Sequence, residues 1–253
     1  MVVGQRRVGK SYLLFQIMDK IKSLNQGKSD NIIYINKELF EFDYLKDYKD
    51  LLKFIKEKSK NNKKSYVFID EIQDIAQFEK ALRSLNASGL YDIYCTGSNA
   101  KMLSGELATY LSGRYIEIEV FGLSYSEFLV FHKLTDNSDA LLKYIKYGGL
   151  PYLINLELKD DIIFDYLRNI YNTILFNDVV SRHHIRSIDF LQKLVEYLAD
   201  NTGSLLSAKK ISDFLKSQKI NVSPNIILDY LIYLAQAYFI FKVSRLDVQK
   251  KNF

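Results

Sequence analysis

The stretch Gly4-Gln5-Arg6-Arg7-Val8-Gly9-Lys10-Ser11 concentrates residues suited to phosphate chemistry. It fits the spacing G-x-x-x-x-G-K-[S/T] at every fixed position, directly after the apolar run Met1–Val3 and at the start of the amphipathic stretch Lys10–Ser23. Glycines let a backbone wrap a phosphate and aim N–H groups at it, and the helix N-terminus adds partial positive charge. In such a loop Lys10 is expected to reach the β- and γ-phosphates of a nucleoside triphosphate, and the Ser11 hydroxyl to ligate Mg²⁺. Val8 and Tyr12 join Gly4, Gly9, Lys10 and Ser11 as the expected nucleotide contacts, with ATP and Mg²⁺ as the expected pair.

A second group lies in Ser65-Tyr-Val-Phe-Ile-Asp70-Glu71-Ile-Gln73, an apolar strand ending in two acids. In an open α/β sheet the carboxyl ends of the strands are where ligands bind. Asp70 is expected to hold Mg²⁺ through water, and Glu71 to act as general base or orient the attacking water. The competing reading is an acidic pair that caps the next helix. A third strand, Asp92-Ile-Tyr-Cys-Thr96-Gly97-Ser98-Asn99, ends in a polar tip. Ser98 and Asn99 suit a γ-phosphate or water sensor, with Asn99 as a helix N-cap the alternative; Cys95 reads as a core thiol. Arg114, in Leu111-Ser-Gly-Arg114, suits an arginine finger presented to a neighbouring subunit, or else a surface ion pair.

These groups need a sheet to position them. Apolar β-branched runs at Met1–Val3, Ile32–Ile35, Tyr66–Ile69, Ile93–Tyr94 and Tyr115–Val120 alternate with helical patterns at Lys10–Ser23, Leu45–Ser59, Ile75–Leu85 and after Ser98. That alternation predicts an α/β fold with a parallel sheet covered by helices. After Phe121 the pattern turns helical: Ser124–Phe131 with a Ser124/Glu127 capping signature, a Gly148-Gly149-Leu150-Pro151 break read as a hinge, then Asp161–Val179 and Ser187–Asp200. Ser207–Ser217 and Ser223–Ala237, joined by Gln218–Val222, have helix-turn-helix dimensions, and the β-rich Phe239–Val248 would be a wing. In the second helix, Ile226, Ile227, Tyr230, Leu231 and Leu234 are expected to face inward, with Asn225, Asp229, Ile232, Tyr233 and Gln236 outside.

Composition excludes some classes. A single cysteine among 253 residues rules out an internal disulfide and a Cys-based zinc cluster. No apolar run approaches the roughly 18 residues that span a bilayer, and no signal-peptide pattern opens the chain, so a cytoplasmic location is expected. The net charge of +5 is a mild lean toward anionic partners. Ser207–Phe253 has eight basic and three acidic residues, enough for a few phosphate contacts. Its candidate recognition helix lacks arginine, so weak, non-specific nucleic-acid binding or a protein partner is expected rather than base reading. Arg182-His183-His184 reads as a surface or phosphate-contact run, not a metal site.

The order GxxxxGKS, FIDEIQ, TGSN, SGRY and Tyr147-Gly-Gly-Leu-Pro resembles a family of bacterial and archaeal AAA-type P-loop ATPases with a C-terminal region of poorly defined function. The resemblance covers nearly the whole chain. It implies an AAA-like core over 1–122, a helical lid over 123–186 and a winged helix-turn-helix over 187–253, with longer members continuing into a nuclease-like domain. Only three residues precede Gly4, where family members carry a helix and a full strand, and the chain stops at Phe253; it reads as a fragment or a truncated gene product. The expected activity is Mg²⁺-dependent ATP hydrolysis coupled to movement of the helical region, in a homo-oligomer if Arg114 acts as a finger. The alternatives are an ATP-dependent switch with negligible hydrolysis and a DNA-binding regulator.

Overall fold

The computed structural model describes residues 1–24, 31–59, 64–100 and 113–244. By Cα proximity the chain forms two compact units, Met1–Ile170 and Tyr171–Phe253. The first is built on one five-stranded sheet of β1 (Val2–Val3), β2 (Ile32–Asn36), β3 (Ser65–Asp70), β4 (Tyr91–Gly97) and β5 (Ile118–Glu119), in the order β2-β3-β4-β1-β5. Every neighbouring pair is parallel. Each of the five apolar runs read from the sequence contains a strand. Parallel strands need crossovers, and α1 (Lys10–Leu24), α2 (Tyr48–Lys58) and α3 (Phe78–Ser88) supply them. α1 buries Leu14, Met18 and Ile21 in one stripe against Val2 and Phe68. The opposite face of the sheet packs Ile35, Val67, Ile69 and Cys95 against Leu51 and Ile55 of α2 and Leu82 and Leu85 of α3.

Helix ends follow local chemistry. α2 starts at Tyr48, later than the apolar pattern suggests, because Asp47 Oδ1 accepts the N–H groups of Lys49 (2.8 Å) and Asp50 (3.1 Å) in a capping box. α3 starts at Phe78, not Ile75: Ala76 is committed to a parallel bridge with Asp47, and Gln77 is left-handed. The helical stretch expected after Ser98 falls largely on 101–112, outside the described residues.

Beyond the sheet, α4 (Tyr125–His132) carries the predicted Ser124/Glu127 capping box. α5 (Ser138–Tyr147), absent from the sequence reading, is capped by Asn137, whose Oδ1 accepts from the Ala140 N–H at 2.8 Å. A short 3₁₀ turn, Pro151–Asn155, leads to α6 (Asp160–Thr173), within which the two units divide. The Gly148-Gly149 break is where expected, but its second glycine serves a tight crossing. The Leu123 N–H donates to the Gly149 carbonyl at 2.6 Å, and a Cβ on Gly149 would stand 2.2 Å from the Leu123 oxygen.

The second unit is all-helical among the described residues. Asp161–Val179, read as one helix, widens into a π-helix over Ile174–Ser181. α7 (Ile188–Asp200), α8 (Ala208–Ser217) and α9 (Pro224–Gln236) follow. Ile211, Leu215, Ile227 and Leu234 are buried, and the Ser212 hydroxyl donates to the Val222 carbonyl at 2.7 Å, pinning the turn between α8 and α9. On α9, Ile226 is exposed where an inward position was expected, and Leu228 is exposed as well. The 239–244 part of the expected wing contains no strand, and 245–248 lie outside the described residues. Among the described residues, no helix is long and apolar enough to cross a membrane.

Candidate nucleotide site

β1 ends at Val3, and the chain turns through Gly4–Gly9 into α1. The two glycines are needed for different reasons. Gly4 has φ +143°, and a Cβ there would meet the Val120 carbonyl oxygen at 2.2 Å, so it lets the loop leave β1 while β5 stays paired. Gly9 has φ +101° with open space where a Cβ would stand, so only its backbone conformation demands glycine. Lys10 is 5% exposed, and its Nζ donates to the carbonyls of Gly4 (3.0 Å) and Gln5 (2.8 Å), which holds the ammonium within the loop. No acid occupies the first turn of α1, so the positive end of the helix keeps its field. Ser11 is half-buried beside Lys10 and Val8 is buried, whereas Tyr12 is 75% exposed with its ring edge-on to Phe15.

The strand order then does the assembling. β4 lies between β1 and β3, so its polar tip sits between the loop after β1 and the acids after β3. Asp70, Glu71, Thr96, Ser98 and Asn99 are all buried there. Thr96 Oγ1 donates to Asp70 Oδ1 and accepts the Glu71 N–H at 3.0 Å. Ser98 Oγ donates to Glu71 Oε2 at 3.0 Å, and Gln73 Nε2 donates to the same oxygen. Glu71 adopts the left-handed region, φ +54°, as the chain turns into a 3₁₀ segment, Ile72–Asp74. Its side chain caps nothing there, so the capping alternative for this acid does not hold.

Several contributors were not legible in the spacing of residues. Tyr34, on the α1 face of β2, buries its hydroxyl beside Asn36 and Asp70. Burial, and then the Asp70 carboxylate, push its pKa up to about 12. Gln73 keeps its Oε1 buried with no hydrogen-bond partner among the described residues. Arg7, left-handed at φ +67°, lies near Tyr166 of α6, where its charge opposes the upward pull of burial on that phenol; Tyr166 stacks on Tyr152 at 5.2 Å. Arg114 stays apart. It is exposed and precedes β5, which runs parallel to β1, so it lies toward the opposite end of the sheet from the loop at Gly4.

The donor set suits Mg²⁺ with a polyphosphate: hard oxygens at Ser11 and Asp70, a buried ammonium, a glycine whose outer side is open, and a buried Gln73 Oε1 with no hydrogen-bond partner among the described residues. A parallel α/β sheet with a glycine loop and lysine at the head of α1 and acids two strands away defines a P-loop α/β core. Residues 1–129, just over half the chain, match the family described as AAA domain, and the chain belongs to that family. Residues 138–252 match a domain of unknown function (DUF8612). An uncharacterized protein of Haemophilus influenzae is 39% identical over 261 residues, covering all of this chain and 64% of that protein. The uncharacterized protein MJ1544 of Methanocaldococcus jannaschii is 36% identical over 270 residues, covering 99% of this chain and 57% of its own length. The chain therefore spans less than two thirds of either relative. Among solved structures, the Aeropyrum pernix ORC2 protein, studied as ADPNP-ADP complexes, superposes with a TM-score of 0.56 at 13% identity, over 94% of this chain and 79% of that one. That likeness is one of fold.

Proposed function

We propose that the chain binds ATP with Mg²⁺ through Gly4–Ser11 and Asp70 and hydrolyses it with Glu71 as general base. The observation that carries this reading is the buried cluster of Asp70, Thr96, Glu71 and Ser98 at the carboxyl ends of β3 and β4, with β4 adjacent to the strand that leads into the lysine loop. Backbone N–H groups of the loop and the Lys10 ammonium hold the phosphates, with Val8 and Tyr12 beside the loop as further contacts. Ser11, and Asp70 through water, would hold Mg²⁺, which would supply neutralisation of the phosphate charge. Glu71 takes a proton from water as the water oxygen bonds to the γ-phosphorus and the bond from phosphorus to the β–γ bridging oxygen breaks. The products are ADP and inorganic phosphate. Ser98 and Asn99 orient the water. Arg114, far from its own loop, serves a neighbouring copy or does not serve at all. We read 1–122 as the catalytic core, 123–186 as its lid and 187–253 as the helix-turn-helix region that hydrolysis moves.

One observation favours a slower variant of this reading. Two side-chain donors, Ser98 and Gln73, engage one oxygen of Glu71, which suits a switch that holds ATP and turns it over rarely. A phosphate-release assay decides between them. Turnover is expected in the wild type, and loss of it in Lys10→Ala, which also loses ATP affinity by calorimetry. A wild type that binds ATP but releases no phosphate overturns the hydrolase in favour of the switch. Unchanged ATP affinity in Lys10→Ala overturns the nucleotide site itself.

A further inference from the structure

We propose that Thr96 is the positioning residue for both acids, a role resting on the ATPase reading above. Thr96 lies in β4 with no exposed surface, next to the Cys95 that registers with Ile69. A threonine hydroxyl has one proton and two lone pairs. The Glu71 N–H takes a lone pair at 3.0 Å, and the proton goes to Asp70 Oδ1. Both bonds have their direction fixed, because an N–H can only donate and a carboxylate oxygen accepts. Two consequences follow for the site. Asp70 has Oδ1 committed to β4, which fixes how its carboxylate is turned at the strand end. Glu71 is tied at its N–H while its backbone is left-handed, φ +54°, a conformation that lasts only where surrounding bonds impose it. A single hydroxyl on the intervening strand thus sets the orientation of the metal-side acid and the backbone of the base. The sequence reading placed the sensor at Ser98 and Asn99; Thr96 acts one layer deeper, through the acids, and need not touch nucleotide.

The Thr96 methyl fills core space, so Thr96→Val keeps shape and removes the hydroxyl, while Thr96→Ser keeps the hydroxyl and removes the methyl. ATP affinity is measured by calorimetry with Mg²⁺ and with EDTA, and phosphate release at saturating ATP and Mg²⁺. Thr96→Val is expected to bind ATP as the wild type does in EDTA. It should lose about tenfold or more of the affinity that Mg²⁺ adds, and roughly 10–100-fold in kcat, as disrupted outer-shell partners do. Thr96→Ser should keep both within about threefold, well inside that penalty. Should Thr96→Val fail to fold, Thr96→Ala carries the same comparison. The proposal is overturned if the variants lacking the hydroxyl keep the wild-type Mg²⁺ gain and kcat, or if Thr96→Ser loses as much as they do, which would assign the effect to packing. A wild type that gains affinity from Mg²⁺ but releases no phosphate sinks the hydrolase reading alone, and the Mg²⁺ comparison then decides Thr96.

Discussion

Glu71 holds a left-handed backbone at φ +54°, a placement that costs a non-glycine residue about 1–3 kcal/mol. The fold tolerates it because the N–H bonds Thr96 and the carboxylate bonds Ser98. Glu71→Gln keeps the shape and the backbone and removes the base. It should bind ATP–Mg²⁺ like the wild type and lose roughly 10²–10⁴ in turnover; full turnover in that variant would shift the water-orienting role to Asn99. Cys95 makes a contrasting case. It is buried on the α2–α3 face, and burial pushes its thiol up to about 11. Since the thiolate is the nucleophile, the native protein at pH 8 should resist a thiol-reactive chromophore and react stoichiometrically only after denaturation. Rapid labelling of the native chain would mean that β4 opens more readily than its packing implies.

At the scale of elements, the joints carry more information than the helices they connect. The crossing of Leu123 over Gly149 leaves no room for a side chain, since a Cβ would stand 2.2 Å from one backbone oxygen and 2.9 Å from a backbone nitrogen. Backbone atoms cannot rotate away, so Gly149→Ala should destabilise the first unit by about 1–3 kcal/mol, the range of overpacking, as read from chemical denaturation. A neutral Gly149→Ala would restore the hinge reading of this break. The start of α4 adds a smaller, pH-dependent contribution. The Ser124 N–H and hydroxyl hold the Glu127 carboxyl below its ordinary range. A depressed carboxyl contributes above its unfolded pKa and loses that contribution as pH falls through the folded one. The cap should therefore persist at neutral pH and weaken only in acid below the ordinary glutamate range. Ser124→Ala should cost about 1 kcal/mol at neutral pH, and less in that acid range.

At the scale of the whole molecule, Arg114 and the surface of the helical unit bear on association. Arg114 sits toward the end of the sheet away from its own loop, so its use in hydrolysis requires a second copy. Mixing Arg114→Ala with Lys10→Ala protein should then restore some phosphate release that neither shows alone. Full wild-type activity in a dilute monomer would end that idea. On α9 the exposed residues include Leu228 at 49% and Ile232 at 51%, with Asp229 between them. Apolar side chains and a carboxylate are a poor match for a phosphate backbone. Fluorescence anisotropy should find weak or no duplex binding, with a log–log salt slope of about −0.9 for each phosphate contacted. One duplex preferred by about 10³ at physiological salt would instead establish a sequence-reading regulator.

The sequence alone determined what local rules control. Gly4, Gly9, Lys10 and Ser11 are consecutive enough to form their loop without help. Five β-branched runs alternating with helical stripes leave little choice but a parallel sheet, and Ser124 with Glu127 writes its own cap. Tertiary structure decided what depends on residues far apart in the chain. Nothing in the spacing says that β4 inserts between β1 and β3, yet that order is what brings Thr96 onto Asp70 and Glu71. Gly149 looks like any helix-ending glycine until Leu123 is laid against it. On α9 the 3.6-residue period marked Ile226 as inward, but which stripe is buried is set by where α8 packs, and that left Ile226 and Leu228 outside. Periodicity fixes that a helix has faces; only the neighbouring elements choose among them, because burial is a property of the space between segments and not of either segment alone.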